Sequence, residues 1–184
     1  QPANASLEIG SSAGHAAINV AVNLNGFDQT VSKLVNITPS TGVQIITSPT
    51  PATLTVNQSD TTLFDGRLTG ALALTKTGTG TLTLSNSLST ATGNIAVTNG
   101  TLVAACANSL GNSTNVTVLG GTLELRTAAC IADAASLSIA AGGAQVKIGT
   151  GLTETVDKLF LDGVQQESGS WGTVGSGAAN IDNI

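Results

Sequence analysis

Gly10-Ser11-Ser12-Ala13-Gly14 has the G-x-S-x-G spacing of a serine-hydrolase nucleophile elbow, and the only histidine, His15, follows it directly. Such an elbow works by holding the serine on a sharp strand-to-helix turn while the histidine and an acid arrive from elsewhere in the chain. Here the histidine adjoins the loop and no helical period follows, so the string reads as a small-residue turn between strands. Four carboxylates form two pairs, Asp60 with Asp65 and Asp157 with Asp162, each flanking a short apolar run. Glycan cleavage needs such acids gathered around one bond. The six Lys and Arg are dispersed along the chain and complete no cluster with them. The calcium-loading strings G-G-x-G-x-D and D-x-D-x-D-G are absent, and two cysteines with one distant histidine make a poor zinc set. The chain therefore reads as a non-enzyme, with no catalytic, cofactor-binding or metal residue to assign.

Function must then come from shape, and the shape is written in a repeat. Gly80-Thr81-Leu82 returns as Gly100-Thr101-Leu102 and as Gly121-Thr122-Leu123. Between them Ile95-Ala96-Val97, Val116-Thr117-Val118 and Leu137-Ser138-Ile139 keep step. Two alternating runs per period, bounded by Gly, Asn or Ser, describe a chain wound in coils whose apolar face is covered only by the next coil. The pattern predicts an all-β fold, a right-handed parallel β-helix (β-solenoid) with coils of about 20–24 residues. Leu82, Leu102 and Leu123 should form one internal ladder and Val97, Val118 and Ile139 another. No segment keeps a helical period; Ile131 to Leu137 allows one short turn at most.

Three regions are expected. Residues 1–60 hold all four prolines, Pro2, Pro39, Pro49 and Pro51, and Pro cannot donate to a strand ladder. That part reads as less regular coils or a cap, with a turn at Ser48-Pro49. Residues 61–150 are the regular coils. Residues 151–184 carry Phe160 and Trp171, two of the four aromatic side chains, which suit a cap over the final coil. Cys106 and Cys130 stand 24 residues apart, close to one coil. Adjacent strands sit about 4.8 Å apart, within the range a disulfide spans. A Cys106–Cys130 bridge pinning neighbouring coils is expected, the alternative being two buried thiols.

Composition narrows the partners. Charged residues are 9% and the net charge is −5, which argues against nucleic acid and anionic membrane surfaces. No apolar run approaches the roughly 20 residues of a membrane-spanning helix. The first residue is Gln1 and the sequence contains no methionine, which reads as the mature end of a secreted product. A threonine face for ice would need Thr-x-Thr in each coil. Thr81-x-Thr83 has it, but Thr101-x-Val103 and Thr122-x-Glu124 do not.

The stretch "LTKTGTGTLTLSN" from Leu74 to Asn86, followed by "TGNIAVTNGTL" from Thr92 to Leu102, resembles the autotransporter-associated β-strand repeat of bacterial secreted passenger regions. "NLNGFDQTVSKL" (Asn23 to Leu34) is similar to a phrase found upstream of such repeats, and "LFLDGVQQESGSWG" (Leu159 to Gly172) to one found after them. The resemblance implies a right-handed parallel β-helix at the cell exterior with no catalytic residues. The family usually ends in a membrane barrel, which this sequence does not contain, so release, capture by partners or polymerisation is expected. A solenoid leaves unpaired backbone groups at both ends, and head-to-tail contacts that do not close give filaments. The function expected is that of an extracellular, cell-surface structural protein, the subunit of a filament assembled by end-to-end stacking with itself as partner. The alternative is a monomeric passenger-like adhesin or spacer whose long face binds a host or environmental glycan or protein.

Overall fold

The computed structural model describes residues 5–10, 19–37, 42–172 and 177–181, and among them every regular element is a strand. The chain opens with β1 (Ser6–Gly10), β2 (Val20–Asn23), β3 (Gln29–Val31), β4 (Lys33–Ile37) and the long β5 (Gln44–Asn57). There follow β6 (Thr61–Phe64), β7 (Arg67–Thr77), β8 (Thr81–Leu84), β9 (Ile95–Val97) and β10 (Thr101–Ala104). β11 (Asn115–Val118), β12 (Thr122–Leu125), β13 (Ser136–Ile139) and β14 (Gln145–Ile148) complete the regular coils. A hairpin of β15 (Lys158–Leu161) and β16 (Val164–Gln165) comes next, then the small pair β17 (Trp171–Gly172) and β18 (Asn180–Ile181).

The strands alternate between two walls. One sheet has the order β14-β12-β10-β8-β6, the other β16-β15-β13-β11-β9-β7-β5-β2, with β3 also on β5. β1 and β4 form a separate parallel pair beside β6. Each of these ladders is parallel except β15–β16, which is antiparallel. The result is a β-solenoid of about seven turns. Short turns lead from the longer sheet to the shorter one, and those after β7, β9, β11 and β13 contain glycine. Residues 85–94, 105–114 and 126–135 return as longer loops on a third side.

Period-two alternation decides which side chains go inside. Along β7, Leu68, Leu72 and Leu74 are buried while their neighbours are more open. Register then stacks like on like. Leu82, Leu102, Leu123 and Val146 form one column, and Phe64, Leu84, Ala104, Leu125 and Ile148 the next. On the facing wall the columns are Leu54-Leu74-Ile95-Val116-Leu137-Leu159 and Val56-Lys76-Val97-Val118-Ile139-Leu161. Full burial of each such aliphatic side chain is worth about 1.5–3 kcal/mol.

Two local expectations meet a different outcome, and a third is met. Ser48-Pro49 is no turn, because β5 runs through it; Pro49, Thr50 and Pro51 are exposed in the gap where the β5–β7 register shifts, between Ser48 and Ala52. A proline is tolerated there because no ladder bond is required of it. Ile131 to Leu137 makes the one short turn its sequence allows, closed by Ala135 N–H on Ala132 C=O. Phe160 pairs with Ser138 on the outward register, so its ring lies outside the core rather than over it.

The glycine of the Gly-Thr-Leu phrase has two jobs. Gly100 adopts φ +66°, and a Cβ built on it would fall 2.4 Å from both Gly78 O and Gly80 O of the coil beneath. Gly142 also has positive φ, +84°, but nothing lies within 4 Å of its would-be Cβ. Gly142→Ala should therefore cost only the backbone penalty, about 1–2 kcal/mol. Gly100→Ala should cost about 3–5 kcal/mol, because the backbone of the coil beneath must also shift. Urea denaturation of the two variants checks this; equal losses would show that turn geometry, not coil-on-coil contact, selects glycine.

Candidate functional site

Among the described residues, the carboxylates singled out for chemistry do not assemble. The Ser11–His15 string lies outside the described residues. Asp60 and Asp65 are exposed at opposite ends of β6, and Asp157 and Asp162 at opposite ends of β15. A strand of that length holds its flanking residues well over 10 Å apart. Asp157 meets Lys158 at 3.6 Å in an exposed pair worth little. Among the described residues no three of His, Cys, Asp or Glu converge as a metal site would require.

The expected Cys106–Cys130 bridge is absent, and both cysteines are free thiols. The strand-spacing argument fixed a distance but not a register. Arg126 N–H bonds Ala104 C=O, and Asn108 N–H bonds Ala129 C=O, so the residues beside Cys106 in the next coil are near 127–128. Cys130 lies beyond that point and turns inward. Its buried Sγ sits 3.2–3.4 Å from the carbonyls of Thr127, Ala104 and Cys106. Cys106 is half-buried, and burial, then the nearby Cys130, push its thiol above the usual range.

The polar groups that do assemble fill one corner of the coil, where the longer sheet turns into the shorter. Lys76 takes a core position between Val56 and Val97 and is 0% exposed. Its Nζ donates to the carbonyls of Thr77 (2.7 Å), Gly78 (2.9 Å) and Asn99 (3.4 Å), tying the corners of two successive coils. One coil earlier Gln58 fills the same corner. Its Oε1 accepts from Leu34 N–H, and its Nε2 donates to the carbonyls of Asp60 and Thr81 and to Thr62 Oγ1. At the other end of β6 Asn36 and Gln44, also buried, hydrogen-bond each other, and Asn36 Oδ1 accepts from Asp65 N–H. The seam between β4 and β6 is thus made by side chains instead of a backbone ladder. On the third side Glu154 Oε1 accepts from Ile131 N–H at 2.6 Å, in a cradle that includes the N–H groups of Ala129 and Cys130. Burial nonetheless holds the Glu154 carboxyl above its usual range. Lys76 and Glu154 both satisfy backbone groups at bends. Lys76 was legible in principle, since Leu72-Leu74-Lys76 keeps the alternation through a charged residue.

The remaining candidates are the two ends of the coil. At the N-terminal end an apolar mouth of about 320 Å³ is lined by Leu7, Val22, Leu24, Phe27, Val31 and Leu54, with Phe27 67% exposed. At the other end Ile148, last in the Phe64–Leu125 column, is 43% exposed while Leu125 above it is 0% exposed. Comparison with protein-family models, curated proteins and solved structures returns no match.

Two measurements check this site. Burial lowers the Lys76 ammonium from an ordinary 10.5 to about 8. Between those values the unfolded chain binds more protons there than the folded one, so stability should rise with pH through that window, by up to about 3 kcal/mol. The difference in urea stability between the native protein and Lys76→Met, followed from pH 7.5 to 10.5, should carry this slope; parallel curves would mean the ammonium is not desolvated. For the thiols, iodoacetamide without reductant should label two cysteines in urea and Cys106 ahead of Cys130 in the native state, read by peptide mass. A doubly protected protein would restore the bridge.

Proposed function

We propose that this protein is an extracellular structural subunit of a cell-surface filament, built by end-to-end stacking of β-solenoids. The observation that supports the reading most is the open core at both ends: the 320 Å³ apolar mouth at one and the exposed column member Ile148 at the other. Apolar surface of this kind gains by being covered, and another coil is what the wall geometry accepts. A second copy offering its opposite end covers both, and because the contact is head to tail it repeats without closing. The resemblance of Leu74 to Leu102 to the autotransporter-associated repeat points the same way for location. So does a surface rich in Thr, Ser and Asn with 9% charged residues. With no disulfide, the oxidising compartment loses its separate support, and the extracellular assignment rests on composition and that resemblance.

Negative-stain microscopy and sedimentation across a concentration series test the proposal. Rods lengthening in increments of one solenoid are expected. An 18.1 kDa species that stays monomeric at high concentration sinks the filament and returns the monomeric, ligand-binding passenger to first place.

A further inference from the structure

Resting on the stacking reading, we infer which strands make the joint and in what register. Only one wall can continue in parallel. On the longer sheet the last edge is β16, antiparallel to β15 through Phe160–Gln165 and Leu161–Val164, and this hairpin interrupts the run of parallel strands. Among the described residues, on the other wall, β14 has β12 as its one strand partner and β1 has β4. β1 lies on the same wall, since β4 packs beside β6. A copy stacked below therefore presents β1 to the free edge of β14, with the strands running the same way.

Side-chain direction fixes the register. In β14, Val146 and Ile148 continue the internal columns, so Gln145 and Lys147 point outward. In β1, Leu7 and Ile9 face inward, Ile9 being 2% exposed, and Ser6 and Glu8 are exposed. Keeping apolar on apolar, and allowing no one-residue slip, sets Gln145 on Ser6, Val146 on Leu7, Lys147 on Glu8 and Ile148 on Ile9. The register required by the core thus pairs the one cation of β14 with the one anion of β1. Within the chain Lys147 already neighbours Glu124, so the outward column would read Glu124, Lys147, Glu8 across the joint. The same stacking sets the hairpin's Val164, 64% exposed, on the side of the mouth lined by Val22, Leu24 and Phe27.

Two sets of variants of the full chain test this. Both charged residues are exposed, so the fold should survive their replacement. Glu8→Lys should raise the concentration needed for assembly by about three- to tenfold at low salt, and less at high salt. Glu8→Lys with Lys147→Glu should recover most of that loss. In a Cys106→Ser, Cys130→Ser background, Glu8→Cys with Lys147→Cys should oxidise to a covalent ladder of multiples of the chain. Ser6→Cys with Lys147→Cys, two residues out of register, should not. Filaments that form normally but ignore the charge changes and give no ladder overturn this joint and leave the stacking reading intact. An unaltered protein that forms no filament overturns both.

Discussion

A wound strand has no partner within its own coil. The N–H and C=O groups of β8 are satisfied only by β6 and β10, and those of β11 only by β9 and β13. Nearly all else follows from this constraint, because a buried backbone group left unpaired costs as much as a lost hydrogen bond. It forces the 20-to-24-residue spacing, since each coil must return to the same azimuth one strand spacing further along. It forces like side chains into columns, and it forbids a Cβ at Gly100, where the corner of one coil rests on the carbonyls of another.

The same constraint explains the exceptions to an apolar interior. At a corner the chain bends out of strand geometry and its carbonyls turn inward without a ladder to receive them. Lys76 and Gln58 answer this in successive coils, the first with three ammonium hydrogen bonds, the second with an amide that donates and accepts. Burying an ammonium is costly, and its lowered proton affinity is the sign of that cost. Later corners dispense with such residues: Val97 and Val118 occupy the equivalent places, and backbone bonds from Leu119 and Gly120 to Val97 C=O close the bend. Glu154 performs a related service on the third side, where the last return loop meets the backbone of residues 129–131.

At its ends a solenoid cannot meet the constraint by itself. The hairpin of β15 and β16 meets it in part by folding the chain back on one wall, and on the other wall β14 and β1 each have one strand partner among the described residues. A parallel edge with half-covered core residues is the kind of surface that gains by being covered. That is why the functional reading lies at the ends, and why the acids on the flanks, each solvated and apart from the others, have no part in it.

The repeat in the sequence was enough to determine the class of fold, the length of a coil and which residues share a column. Alternation and period are local properties, and Gly80, Gly100 and Gly121 mark where each coil restarts. Local pattern did not determine register at positions off the strands. Cys106 and Cys130 looked one coil apart by count, but the return loop is offset, so Cys130 faces carbonyls instead of its fellow thiol. Nor did it reveal that Pro49 to Pro51 could sit inside a strand, because only the partner strand decides where a missing donor is harmless. The tertiary structure alone decided that carbonyls of two successive coils receive the Lys76 ammonium, that Phe160 lies outside and that β16 blocks one wall. Each depends on what the next coil places opposite, and a sequence read along its length carries no record of that.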